Sequence, residues 1–181
     1  MKTPRVKRYL ESFAKQVVRD SRKILSSAKG NTALAKSIRA VVETTSTGFR
    51  TKFYMADYGT FLDEGVSGTN KKQRFENYKG VKKISSYSYT TKGPPIDIIS
   101  KWIKKKGIQP KGLGRGRSKK TGQYISGFAY LISRKIKRDG IKSISFFQKP
   151  LGVGLKELEN NFLKELKLDI QSYLTTFTKT R

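Results

Sequence analysis

The side chains that could do chemistry in this chain are few and unevenly placed. Its 181 residues include no His and no Cys, which removes the usual general base near neutral pH, any thiolate nucleophile and any disulfide framework. Thirteen Asp and Glu stand against forty Lys and Arg, a formal charge of +27. Two-metal hydrolysis needs clustered carboxylates, whereas the acids here are scattered over presumed surface turns. Asp63, Glu64 and Lys71 come nearest to an acid–acid–lysine set, but they lie in a stretch that reads as loop rather than as paired strands. The residues therefore argue against an enzyme, and no catalytic, metal-binding or cofactor-binding residue is assigned.

Two glycine-rich stretches invite a chemical reading. The run LDEGVSG, Leu62 to Gly68, is similar to an Asp-Glu-Gly-Ser-Gly motif of serine recombinases. Those enzymes need a nucleophilic Ser beside an Arg at the end of a first strand. Here the N-terminal segment reads as helix, and Arg19-Asp20-Ser21 lies within it. The plainer reading is a helix C-terminus closed by Gly65, with Asp63 and Glu64 free to bridge to a basic neighbour in an assembly. The second stretch, GLGRGR from Gly112 to Arg117, lacks the preceding strand and following helix of a phosphate-cradling loop. It reads as a basic loop.

The positive charge is concentrated. No carboxylate falls between Asp97 and Asp139. That interval holds Lys101, Lys104, Lys105, Lys106, Lys111, Arg115, Arg117, Lys119 and Lys120, then Arg134, Lys135, Lys137 and Arg138. A charge of this density attracts polyanions: nucleic acid, an acidic protein surface or an anionic membrane. Lys101, Lys104, Lys105, Lys111, Arg115, Arg117, Lys119 and Lys120 are the expected partner- or DNA-contacting cluster. Tyr87 and Tyr89, interleaved with Ser and near basic residues, leave base stacking open as well.

The elements that must position these groups follow from periodicity. Val6, Tyr9, Leu10, Phe13, Val17, Ile24 and Leu25 keep helical spacing over residues 5 to 28. A short helix over Ala33 to Ser37 precedes a β-prone run from Arg39 to Thr45 and an alternating one from Phe49 to Met55. The two are joined as a hairpin by Ser46-Thr47-Gly48. Asp57 to Glu64 reads as a short helix. Ile96, Ile99, Trp102 and Ile103 make an apolar stripe on a helix started by Pro94-Pro95. With Phe128 and Ile132 of a helix over 125–139, they predict one small core containing Trp102. Ser143 to Phe147 reads as a strand or extended plug, and a last helix spans about 155–173. Segments 66–94 and 110–122 read as insertion-like loops, the second too poor in apolar residues to fold alone.

The result is one α+β domain over residues 1–181. A small antiparallel sheet is built on the hairpin, with the long N-terminal helix and the 96–106 and 125–139 helices packed on it. Apolar residues make up 35% of the chain, with no run long enough to span a membrane. MKTPRVKRYLESF lacks the apolar centre of a signal peptide.

Three blocks, taken in order, resemble a known group. They are YMADYGTFLDEGVSG, PPIDIISKWIKKKGI, and ISRKIKRDGIKSISFF. Together they are similar to the neck proteins of tailed double-stranded-DNA phages: tail-completion, head–tail joining and tail-terminator proteins. The resemblance covers residues 5 to 150 or so and rests on the order of the blocks. It implies a virion protein of the neck or upper tail, assembled in the host cytoplasm as a homo-oligomeric ring. Its partners would be itself, portal, connector or tail-tube proteins, and the double-stranded DNA that crosses the channel. No cofactor or membrane is implied. The reading from another class is a basic nucleic-acid-binding protein, ribosome- or nucleoid-associated.

Overall fold

The computed structural model describes residues 3–28, 32–108, 115–117 and 124–179. The protein is α+β. Along the chain run α1 (Pro4–Ser27), α2 (Thr32–Ser37), β1 (Arg39–Thr45), β2 (Gly48–Tyr54) and α3 (Gly59–Glu64). After these come β3 (Arg74–Glu76), β4 (Lys82–Ile84), α4 (Ile96–Lys105), β5 (Arg115–Arg117), β6 (Tyr124–Ser126), α5 (Gly127–Asp139) and α6 (Gln148–Lys179). The strands pair as three separate two-stranded sheets, β1–β2, β3–β4 and β5–β6. The chain gathers into two compact units. One comprises residues 1–63, 76–82 and 145–181; the other comprises 64–75 and 83–144.

The first unit is a pair of long helices with the hairpin. Val6, Phe13, Ala14, Val17, Val18 and Leu25 of α1 are buried, as are Leu34, Ala35, Ile38 and Phe146. The hairpin pairs Arg39 with Tyr54 through to Thr45 with Gly48. Its turn is thus the two residues Ser46-Thr47, because Gly48 belongs to β2. Phe53 stands edge-on to both Phe13 and Phe147, with ring centres 6.3 and 5.3 Å away.

Helix α6 starts earlier than periodicity predicts, at Gln148 rather than near 155. Pro150 sits in its first turn, where the missing N–H costs nothing. Gly152 and Gly154 look like breakers in the sequence, but they are contact points. A Cβ on Gly152 would meet the Tyr78 carbonyl at 2.5 Å, and one on Gly154 the Phe13 ring at 2.8 Å. Ser143 to Phe147 is not a strand. It is the lead-in to α6, with Ser145 at φ 49°.

Both long helices are capped from a distance. Helix α1 has no local side-chain cap. Instead, Asp169 of α6, itself 3% exposed, accepts from the backbone N–H groups of Arg5 at 3.2 Å and Val6 at 3.0 Å. Asp63 does the same for α6: its Oδ1 accepts from Phe147 N–H at 2.8 Å and its carbonyl from Ser145 N–H at 3.1 Å. Each carboxylate satisfies otherwise orphaned donors at the positive end of a helix.

In the second unit, α4 packs on α5 through buried Ile99, Ile103 and Ala129, with Ile96, Phe128, Ile132 and Ile136 around them. Trp102, expected in this core, is 47% exposed. The inward stripe is centred on Ile99 and Ile103, one turn apart. Trp102 sits about 100° round the helix from Ile103, so its indole faces out beside Ile98, which is also exposed. Within the segment 66–94, Val66, Ser67, Gln73, Phe75 and Ser85 are buried and anchor a loop whose other residues are mostly exposed. Within 110–122, residues 115–117 pair with 124–126 as an antiparallel ribbon.

Two substitutions separate these contributions. Replacing Asp169 by Ala leaves the α1 donors unpaired and is expected to cost about 2 kcal/mol, the upper range for a helix cap. The Ser21 hydroxyl is fully buried and has no hydrogen-bond partner among the described residues, so Ser21→Ala is expected to stabilise by about 1 kcal/mol. Urea unfolding of both variants checks the pair of signs.

Candidate functional site

The second unit carries the charge. Its residues, 64–75 and 83–144, hold nineteen Lys and Arg against three carboxylates, Glu64, Asp97 and Asp139, a formal +16 of the chain's +27. None of the three acids is placed to relieve it broadly. Glu64 accepts a hydrogen bond from Ser86 Oγ at 2.8 Å, and Asp97 lies in the first turn of α4. Asp139 is clamped by the Arg138 guanidinium, Nε to Oδ1 at 2.8 Å and Nη2 to Oδ2 at 3.0 Å. That hydrogen bond, helped by the charges of Arg138, Lys135 and Lys71, holds the Asp139 carboxyl below the usual carboxylate range against its desolvation.

What holds this unit in shape is a close crossing of two backbone segments. Val66 and Ile141 exchange both N–H···O=C bonds at 2.8 Å. Gly65, at φ 79°, has the Ile141 carbonyl and the Ser143 N–H where a Cβ would lie, each at 2.7 Å. Gly68 is pressed onto the Arg138 carbonyl, and Gly140, at φ 78°, onto the Val66 carbonyl, both too close for any Cβ. Past the crossing, Thr69 and Asn70 donate their N–H groups to the carbonyls of Lys137 at 2.9 Å and Arg138 at 3.0 Å, while Gln73 Nε2 donates to Asp139 O at 2.7 Å. The last carbonyls of α5 are therefore all occupied. On the other side of Ser67, its backbone bonds to the Tyr87 carbonyl and the Tyr89 N–H, both at 2.8 Å. Burial pushes the Tyr89 hydroxyl up, and the alternating tyrosines hold a bridge at Ser88.

The expected basic cluster divides. Lys101, Lys104 and Lys105 are exposed on α4, as is Lys106 just beyond it. Arg115 and Arg117 are on β5. Lys111, Lys119 and Lys120 lie outside the described residues. Of the two carboxylates expected to bridge subunits, Asp63 is buried and spent on α6, and Glu64 is half-buried beside Ser86.

The groove that sequence reasoning missed lies on α5. It is open, about 900 Å³, and is lined by Thr69, Asn70, Tyr130, Leu131, Arg134 and Lys135, with Lys137 and Arg138 at its end. Tyr130 and Leu131 are exposed at 45% and 47%. The signal was present: 130, 131, 134, 135 and 138 share one helix face, turned away from the buried Ala129. Among the described residues no group of acids is arranged to hold a metal, and no helix is long and apolar enough to cross a membrane. No family model, curated protein or solved structure matches this chain.

The crossing can be tested against a control that shares its backbone strain. Gly107 has φ 64° but nothing among the described residues within 4 Å of a Cβ, so Gly107→Ala is expected to cost about 1 kcal/mol for the left-handed conformation alone. Gly140→Ala adds a backbone collision and is expected to cost about 3 kcal/mol or more. Trp102→Ala, at an exposed position, is expected to cost less than about 1 kcal/mol. Denaturant unfolding of the three variants reads all of these directly.

Proposed function

We propose that this chain is a non-enzymatic structural protein of a tailed double-stranded-DNA phage. It would be a subunit of a homo-oligomeric ring in the neck or upper tail, joining portal or connector to tail around the DNA channel. The observation that carries the reading is how the three resembling blocks pack. Gly65 and Gly68 of the first cross the backbone of Arg138–Ile141 in the third, and the helix of the second packs on α5 through Ile99, Ile103 and Ala129. Motifs scattered along the sequence thus form one packed arrangement. Their order in the chain is then a single structural feature rather than three coincidences.

The surface of α6 supports self-association. Leu163, Ile170, Tyr173 and Leu174 are exposed, Leu163 at 68%, and 163, 170 and 174 fall on one face of the helix. Copies carrying +27 each repel one another. Over Leu155 to Thr175, however, Lys156, Lys164 and Lys167 face Glu157, Glu159, Glu165 and Asp169. A nearly neutral apolar strip is where such copies can meet, and repeated head-to-tail contacts close into a ring.

A second reading, a basic nucleic-acid-binding protein of the ribosome or nucleoid, is favoured by the +16 of the second unit. Light scattering in moderate salt separates the two. The ring reading expects a defined multiple of the 20.5 kDa chain, lost on changing Leu163, Ile170 and Leu174 to Ser, and a ring at the neck in a virion reconstruction. A stable monomer that binds nucleic acid tightly and is absent from particles would overturn it.

A further inference from the structure

We propose that the α5 groove binds a single strand of nucleic acid, with phosphates along Arg134, Lys135 and Lys137 and a base stacked on Tyr130. The inference stands on the groove alone and holds whether or not the protein forms a ring.

Four observations lead to it. First, the cations are available. Arg134 and Lys135 are exposed and make no ion pair among the described residues. Lys137 is committed only to a backbone carbonyl, that of Thr91 at 2.7 Å, and keeps its charge. Second, no carboxylate lines the groove among the described residues, and Asp139, next to it in the chain, is matched by Arg138. Third, a helix C-terminus normally repels anions through its free carbonyls. Here those of residues 136 to 139 accept from Gly140 N–H, Thr69 N–H, Asn70 N–H and Gln73 Nε2, so the repulsive end is covered by donors.

Fourth, an exposed aromatic ring lies among the cations. The Arg134 guanidinium carbon is 5.8 Å from the centre of the Tyr130 ring, close enough to fix the ring by a cation–π contact. Leu131 extends the apolar floor beside it. A duplex hides the faces of its bases and would leave this ring unused. A single strand offers both phosphates and open base faces, the combination that a basic groove with an aromatic platform recognises. An acidic peptide could use the cations but gains nothing from a stacking face.

The test uses the full chain and a fluorescent oligothymidylate, read by anisotropy over a range of salt. The double variant Arg134→Ser, Lys135→Ser is expected to weaken binding at least about tenfold. It should also lower the salt slope by about 1.4, since each phosphate contact on a single strand contributes about 0.7. The charge-matched control Lys15→Ser, Lys23→Ser, at two exposed positions of α1, is expected to change affinity less than about twofold. Tyr130→Ser should weaken oligothymidylate about fivefold or more with the salt slope unchanged, leave heparin binding as it was, and be rescued by Tyr130→Phe. All these positions are exposed, and matching thermal melts confirm that the variants fold. Equal losses from the groove and control pairs would overturn the site, leaving only general charge attraction. Polyglutamate competing as well as oligothymidylate, with no effect of Tyr130→Ser on either, would assign the groove to an acidic protein. Duplex bound more tightly than single strand would overturn the choice of strand.

Discussion

The second unit depends on one contact: two stretches of backbone crossing with no side chain between them. Gly65 to Gly68 lies across Arg138 to Ile141 so closely that Gly65, Gly68 and Gly140 have no room for a Cβ. Hydrogen bonds between Val66 and Ile141 fix its register, and Thr69, Asn70 and Gln73 then close the end of α5. The apolar core here is small, built on Ile99, Ile103 and Ala129. Backbone pairing carries more of the organisation than burial does. A face of α5 rich in Arg and Lys can be held rigid this way without apolar partners on its outer side.

The first unit solves a related problem with charge. In a chain this poor in acids, two carboxylates are buried at helix N-termini contributed by distant segments, Asp169 for α1 and Asp63 for α6. Each replaces a local cap and ties remote parts of the chain together. The arrangement locks the antiparallel run of α1 against α6, which Gly154 allows to approach within contact of the Phe13 ring. The carboxylates that might have served an interface are thereby spent on folding. A more neutral mixture of charges is left along the outer face of α6.

The two units differ in how charge is mixed with exposed apolar side chains. The segment with most cations per carboxylate also presents Tyr130, Leu131 and the exposed Trp102. The strip with most acids presents leucines.

Periodicity in the sequence determined α1, the hairpin, α4 and α5 within a residue or two, because each has a strong apolar repeat that local physics alone must satisfy. Composition likewise determined where the positive charge lies. Tertiary structure decided what the breakers meant. Gly152 and Gly154 read as a loop until Tyr78 and Phe13 are seen against them, and Gly65, which closes a helix as its sequence suggests, is also seen to lie against the Ile141 backbone. It also turned Trp102 outward, since a stripe four residues wide cannot show which edge faces the core. The fates of Asp63 and Asp169 were equally hidden. A helix cap supplied from more than eighty positions away leaves no local pattern, and only the folded chain brings donor and acceptor together.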